Sequence, residues 1–257
     1  MGDRYLTDLT DVLRAAGLPV IELDGWRTRA RGSGGYDPGK PTHVMVHHTA
    51  SPPSSSGEGD AWYCAEGDED APLSNLCLDR DGVWWVLAAG ATNTNGKGGP
   101  LDGVPADSMN TYAIGVEANG GYGETWPDAQ TDSYLAGVAA LCDHYGLAYV
   151  RGHAEWAPDR KVDPAGPSPW ATGNSTWDMD DFRHDLSEEA DVALSDKDID
   201  RIAARVWSYP AAGEGSKATR WFLEHAYGIV RRYLGGYQDD SPLPEPTMLQ
   251  QIHDNTR

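Results

Sequence analysis

Short apolar runs alternate with amphipathic helical stripes from residue 20 to residue 190. This alternation predicts an α/β domain with a central mixed β-sheet flanked by helices. The β-branched apolar runs predict buried strands within 42–50, within 111–120 and at the start of 148–166, and a hairpin that turns at Asp81-Gly82. The helical stripes predict helices at 7–16, 130–145 and 176–189. Stretches rich in glycine, proline and serine predict loops at 20–41, 51–60 and 91–110.

Charge and composition change close to residue 190, which indicates a domain boundary there. Residues 1–195 contain 12 Lys and Arg against 31 Asp and Glu, whereas residues 196–257 contain 8 against 9. We therefore divide the chain into an N-terminal helix and lead-in (1–21), a main domain (22–190) and a small α-helical C-terminal region with a flexible end (191–257). Two amphipathic stripes in the last region have apolar faces that need cover, which packing, self-association or a binding partner would supply.

The formal net charge of −20 excludes several classes of partner. A chain this acidic repels phosphate backbones and anionic membranes, so we expect no nucleic-acid partner. No apolar run reaches about 18 residues, so we expect no membrane insertion. The start of the chain lacks the basic and apolar regions of a secretory signal peptide, which predicts synthesis in the cytoplasm. Three cysteines form neither a disulfide framework nor a zinc ribbon, and pairing of Cys64 with Cys77 stays open.

Residues that can bind a metal follow two of the predicted strands. His47 and His48 end the first strand, His153 follows another, and Asp163 lies ten residues further on. Sites in α/β folds collect at strand ends and in the loops after them. Two imidazoles and one carboxylate would make a three-ligand zinc set with a fourth position for water. Each histidine taken singly is also compatible with a structural role, and the spacing alone does not decide.

Two further ionisable residues, Glu117 and Lys161, are candidates for a role in the chemistry. Glu117 sits in the apolar strand IGVEANG, where a carboxylate needs either a partner or a function. It is a candidate general base, and a salt bridge with Arg151 is the alternative. Lys161 lies two residues before Asp163, so in an extended segment both side chains point the same way. Lys161 could then stabilise an oxyanion, or it could be an ordinary solvated lysine.

The motifs VMVHHTA, LDRDG, IGVEANG and GHAE…DRKVDPAG, in this order, resemble the zinc-dependent N-acetylmuramoyl-L-alanine amidases of the amidase_2/peptidoglycan-recognition-protein superfamily. The resemblance covers about residues 22–190, which would make this segment a zinc amidase domain. The lead-in GWRTRARG and the lack of a signal peptide resemble endolysins of phages that infect actinobacteria. The resemblance implies the amidase_2 fold and bacterial peptidoglycan as the substrate.

The resemblance also implies a role for each matched residue. His47, His153 and Asp163 match the three ligands of a single Zn²⁺ per chain. Glu117 matches the carboxylate that activates water, and Lys161 matches the lysine that assists the tetrahedral intermediate.

Substrate contacts are implied less directly. His48 would line the cleft or hold its loop. Relatives often have a histidine in the glycine-rich loop (91–110), where this chain has Asn93, and another before the D-x-D-G turn, where this chain has Asn75. Trp156 and Trp170 flank the metal motif and are candidate cleft walls, with ordinary packing as the alternative.

The function implied is hydrolysis of the amide between N-acetylmuramic acid and L-alanine by a phage endolysin, which would reach the wall of its host through a holin. Two alternatives remain: a non-catalytic peptidoglycan-recognition protein and a cytosolic amidase that recycles wall fragments. The C-terminal helices would pack on the domain, form a homo-oligomer or bind the cell wall.

Overall fold

Six β-strands form one mixed sheet within the part of the chain that the computed structural model describes, residues 2–121 and 123–191. In chain order they are β1 (Val20–Glu22), β2 (His43–His48), β3 (Leu76–Leu78), β4 (Trp84–Val86), β5 (Ala113–Ala118) and β6 (Tyr149–Gly152). Their order across the sheet is β1-β4-β3-β5-β2-β6. The β3–β4 hairpin is antiparallel and the other neighbouring pairs are parallel. The expected α/β fold with a mixed central sheet is confirmed.

Helices cover both faces of this sheet. They are α1 (Leu9–Ala15), α2 (Gly57–Trp62), α3 (Asp128–Tyr145), α4 (His153–Trp156) and α5 (Met179–Asp191), with a π-helical turn at Tyr63–Gly67 and a 3₁₀ turn at Met109–Thr111. The larger core lies on the face covered by α3 and α5, where Val44 and Val46 of β2 meet Tyr134 and Phe182. On the opposite face Met45 packs with Trp156 and Met109. Because side chains alternate along a strand, His47 projects to the same face as Met45.

Most elements lie where the hydrophobic pattern predicts them. The hairpin turns at Gly82, which has a φ of +79°, and the Asp79 carboxylate accepts hydrogen bonds from the backbone N–H groups of Asp81 and Val83. Helix α3 ends at Gly146, whose φ of +65° is the left-handed conformation that closes many helices. These turns therefore have local chemical causes that are visible in the sequence.

Two predicted loops contain regular structure. Strand β1 lies in the segment 20–41, and its three residues are too few to show an alternation; parallel pairing with β4 defines it. Helix α2 begins inside the segment 51–60, where the Ser56 hydroxyl caps it by accepting a hydrogen bond from the N–H of Gly59 at 3.0 Å. Both loop predictions are wrong because a short element depends on tertiary pairing or a cap more than on its own pattern.

The C-terminal helices predicted for 191–257 lie outside the described residues except for position 191. The domain boundary near residue 190 and the roles considered for this region therefore stay predictions. Within the described ranges, no helix is both long enough and apolar enough to cross a bilayer.

Asn75, one of the positions at which this chain departs from the family pattern, is a buried hydrogen-bonding centre. Its Oδ1 accepts from the N–H of Gly115 at 2.9 Å and from the Tyr36 hydroxyl at 3.1 Å. Its Nδ2 donates to the carbonyls of Ala88 and Gly90 at 3.0 and 2.8 Å. Asn75 thus links β5, the residues after β4 and Tyr36, which precedes β2.

We expect Asn75→Ala to lower the free energy of unfolding by about 3–5 kcal/mol, because each buried backbone group that loses its partner costs about 1–3 kcal/mol. Denaturant unfolding followed by tryptophan fluorescence measures the effect. The control is Asn93→Ala, which removes one hydrogen bond near the surface and should cost under about 1 kcal/mol. Similar losses in both variants would contradict the role assigned to Asn75.

Candidate metal centre and active site

The sheet brings together residues that are far apart in the chain. His47 lies near the carboxyl end of β2, and β2 pairs in parallel with both β5 and β6. The first register places His47 opposite Glu117, and the second ends at Gly152, so His153 emerges beside the same strand end. Asp163 returns to this point after α4 and the turn that follows it. The three expected ligand residues are thus neighbours at the carboxyl edge of the sheet.

Three donor atoms of these residues form a tight triangle. The Nδ1 atoms of His47 and His153 are 2.9 Å apart, and each lies 3.1 Å from Oδ2 of Asp163. All three side chains are buried. Tetrahedral ligands of zinc at about 2.0–2.1 Å stand about 3.3 Å from one another, so the observed separations suit one small cation.

The protonation of His153 also suits a cation. Nε2 of His153 lies 2.9 Å from the carbonyl oxygen of Asn95, which accepts the Nε2 proton and leaves Nδ1 with a free lone pair when the ring is neutral. A second partner that orients a ligand histidine in this way is usual in metal sites. Two imidazole nitrogens and one carboxylate oxygen then direct lone pairs at one point. Their mutual repulsion disfavours this arrangement unless a cation binds there. The donor set therefore fits a divalent cation.

The pKa shifts of His47 and Asp163 favour the protonation states that bind metals. Burial, together with the neighbouring His153, lowers the pKa of His47 to about 4, so His47 is neutral at pH 7. Burial alone would raise the pKa of Asp163, but the close approach of His153 and His47 outweighs it and holds that pKa well below its usual range. Neutral imidazoles and an ionised carboxylate are the forms that coordinate zinc.

Glu117 lies beside this triangle on β5. Its Oε1 is 3.9 Å from Nδ1 of His47, and its buried Oε2 has no hydrogen-bond partner among the described residues. Burial, followed by the nearby Cys64 and Asp163, raises the pKa of Glu117 well above the ordinary value, which suits a general base. The alternative salt bridge with Arg151 is wrong.

Arg151 has other partners that position the glycine-rich loop. Its guanidinium binds Asp102 through two hydrogen bonds of 2.6 and 2.9 Å, and a third reaches Glu155. Arg160 donates to the carbonyls of Asn95 and Lys97 in the same loop at 2.7 and 2.9 Å. The segment that carries His153 thus fixes the loop whose Asn95 orients His153. Sequence reasoning missed Asn95 because its contribution is a backbone carbonyl, which no motif specifies.

An open cavity of about 560 Å³ gives access to the triangle. Lys161 lines it together with Asp163. The positive charge of Lys161 adds to the lowering of the His47 pKa and offsets part of the rise in the Glu117 pKa. His48 also lines it, and its Nδ1 accepts a hydrogen bond from the N–H of Ala165 at 3.1 Å. Asn93 is a further wall residue, and its amide donates to the carbonyl of Asp70 at 2.9 Å. These positions surround the space that a substrate would fill.

Neither tryptophan proposed as a cleft wall lines this cavity. Trp156 is completely buried, and a methyl group at Gly98 or Gly99 would collide with its indole. Trp170 packs on Trp177 in the main core and donates to Asp185. Trp156 therefore packs beneath the glycine-rich loop. Both Trp156 and Trp170 are packing residues and not cleft walls.

The mixed sheet with a buried His–His–Asp group at the carboxyl ends of parallel strands defines an α/β protein with a candidate metal centre. The family described as N-acetylmuramoyl-L-alanine amidase (Amidase_2) matches residues 37–166, which include all three donors and Glu117. The chain belongs to this family.

Individual relatives extend the comparison. The chain is 30% identical over 154 residues to the 1,6-anhydro-N-acetylmuramyl-L-alanine amidase AmpD of Escherichia coli K12, covering 51% of this chain and 79% of the relative. The AmpD of Enterobacter cloacae is 29% identical over 155 residues, covering 51% and 78%. Among solved structures, a selenomethionine AmpD derivative has 21% identity and a TM-score of 0.46, covering 65% of this chain and 93% of the other. The endolysin amidase LysCS of Clostridium intestinale has 16% identity and a TM-score of 0.44, covering 65% and 95%.

We expect Trp156→Ala to lower the free energy of unfolding by about 3–5 kcal/mol, because it opens a large cavity beneath the glycine-rich loop. Denaturant unfolding measures the loss. Trp62→Ala is the matched control, since Trp62 is 54% exposed and its removal should cost under about 1 kcal/mol. A Trp156→Ala variant as stable as its parent would reopen the possibility of a role in substrate binding.

Proposed function

We propose that this protein is a zinc-dependent N-acetylmuramoyl-L-alanine amidase that hydrolyses the amide between N-acetylmuramic acid and L-alanine in peptidoglycan. The observation that carries the proposal is the triangle of His47, His153 and Asp163 donors with the Glu117 carboxylate 3.9 Å from one of them. Membership of the Amidase_2 family supports the substrate class.

The three donors would hold one Zn²⁺ beside the cavity that His153 and Asp163 line. When bound there, zinc would polarise the amide carbonyl and make water more acidic. Neutral His47 and ionised Asp163 are already in the protonation states that coordinate a cation at pH 7.

Glu117 and Lys161 would handle protons and charge around the reacting amide. Glu117 accepts a proton from the attacking water, which its raised pKa favours, and then delivers it to the leaving nitrogen. Lys161 places an ammonium in the cavity, where it stabilises the negative charge that develops on the carbonyl oxygen. The C–N bond breaks, water supplies hydroxyl to the carbonyl carbon and a proton to nitrogen, and the products are a lactyl carboxylate and a free peptide amine.

The biological setting has two candidates. We propose host lysis by a phage endolysin, made in the cytoplasm and released through a holin, because the lead-in and motifs resemble such enzymes. The named relatives favour a second candidate, since AmpD is described as acting on 1,6-anhydro-N-acetylmuramyl-L-alanine. A different function, that of a non-catalytic recognition protein, is disfavoured by the complete donor set.

We expect the protein to contain about one zinc per chain, and Asp163→Ala to lose it, because two imidazoles alone hold zinc poorly. Elemental analysis after dialysis against a weak chelator measures the metal. Lys161→Ala is the matched control: it should keep its zinc and lose turnover. Equal zinc in Asp163→Ala and the parent would refute the ligand assignment.

We expect Glu117→Gln to keep its zinc and to release new amino termini from purified cell walls about 10²–10⁴-fold more slowly, because the amide cannot accept the water proton. Labelling of free amines with mass spectrometry of the fragments measures rate and cleavage position. Glu188→Gln, on the exposed side of α5, is the control and should match the parent.

The same assay separates the biological settings. An endolysin acts on intact walls at least as well as on soluble 1,6-anhydro-muropeptides, whereas a recycling amidase prefers the soluble fragments. A zinc-loaded parent that binds walls and releases no amines from either substrate would favour the recognition protein.

A further inference from the structure

Two exposed aromatic side chains are adjacent at the end of α2, and one of them lines the cavity. Trp62 and Tyr63 leave 54% and 49% of their surfaces exposed where α2 passes into the π-helical turn, and Tyr63 lines the cavity itself. Large aromatic side chains usually bury most of their surface, so an exposed adjacent pair indicates a contact surface. Short π-helical turns within α-helices also occur frequently at functional sites.

The two rings are held in place before any ligand arrives. A methyl group on Gly67 would lie 2.9 Å from atoms of both the Trp62 and Tyr63 rings, so both rings pack against this glycine. The Tyr63 hydroxyl donates to Asp68 at 2.8 Å, which fixes the direction of that ring. A surface whose side chains are already ordered loses little entropy on binding.

The charge around the rings limits the partner. Residues 57–70 contain six acidic and no basic residues, so a phosphate-rich polymer or a second copy of this chain, with its net charge of −20, would be repelled. An uncharged partner with many hydroxyl groups suits this surface, because carboxylates accept hydrogen bonds from hydroxyls. Tyr and Trp rings offer an apolar face beside a polar edge, which matches the apolar face and polar rim of a pyranose.

We propose that Trp62 and Tyr63 form a binding subsite for the glycan strand of peptidoglycan, with pyranose rings beyond the reacting muramic acid stacking on them. This inference rests on the proposed function, and it assigns recognition of the glycan part of the substrate to the 57–70 segment. The lactyl carboxyl of muramic acid is consumed in the amide, so the sugar is uncharged and compatible with an acidic rim.

The other part of the substrate fits a different border of the cavity. The stem peptide carries free carboxylates, and Arg160 and Lys161 are the basic residues that line the cavity. Opposite charges across a binding surface fix the orientation of a ligand. The peptide therefore lies towards 160–161 and the glycan towards 57–70.

Steady-state kinetics on two substrates test the subsite. In Trp62→Ala and in Tyr63→Ala, we expect KM for polymeric, peptide-bearing glycan to rise about five- to tenfold with kcat unchanged. A muramoyl dipeptide with a single sugar should be hydrolysed at the parental kcat/KM within about twofold. Trp62→Phe keeps an aromatic face and should recover most of the loss. Ile21→Ala, an exposed apolar residue on edge strand β1, is the control and should change neither substrate.

A binding measurement keeps this test independent of turnover. Uncharged chitooligosaccharides, which present N-acetylglucosamine pyranose rings without a lactyl carboxylate, are titrated into the full-length protein, and the Trp62 indole N–H resonance, assigned by its loss in Trp62→Phe, is followed by NMR. A saturable shift of this resonance supports the subsite even if the protein hydrolyses no amide, in which case the proposed function alone fails. No shift, equal losses on both kinetic substrates, or a change only in oligomeric state on gel filtration would overturn the subsite.

Discussion

The parallel register of β2 against β5 and β6 is the constraint on which the site depends. It places His47 opposite Glu117, and it ends β6 one residue before His153. Because side chains alternate along a strand, a slip of one residue would turn Glu117 towards the face covered by α3 and α5, away from the cavity. The chemistry is therefore fixed by the most deeply buried part of the sheet, and the loops add Asp163 and Lys161 to a frame that already exists.

This arrangement brings together donor atoms and carboxylates that repel one another, and hydrogen bonds from neighbouring segments keep them in place. Three lone-pair donors lie within about 3 Å, and a carboxylate with a raised pKa stands beside them. The backbone carbonyl of Asn95, in the glycine-rich loop, orients the His153 imidazole, and Arg160 fixes that loop by donating hydrogen bonds to it. A cation would offset the remaining repulsion, so metal binding and the stability of this region should be linked.

The sequence predicts the elements whose causes are local and misses those whose causes lie elsewhere in the fold. The strands β2 and β5, the turn at Gly82 and the end of α3 at Gly146 are visible because apolar runs and glycines specify them directly. Strand β1 is not, since three residues become a strand only by pairing with β4. Similarly, tryptophans can be counted in a sequence, but their burial cannot be read from it: Trp156 is buried beneath the glycine-rich loop, whereas Trp62 is exposed.

Local charge, more than total charge, decides what this cleft can hold. At physiological ionic strength, exposed charges are screened beyond about 8 Å, so a ligand in the cavity feels the nearby residues more than the net charge of −20. Arg160 and Lys161 make one border of the cavity basic, whereas the 57–70 segment makes another acidic. At longer range the acidic surface opposes approach to an anionic wall polymer, which slows encounter without weakening contacts once formed. Under the proposed function, affinity then comes from short-range contacts: the proposed metal and Lys161 at the amide, and the proposed uncharged contacts along the glycan.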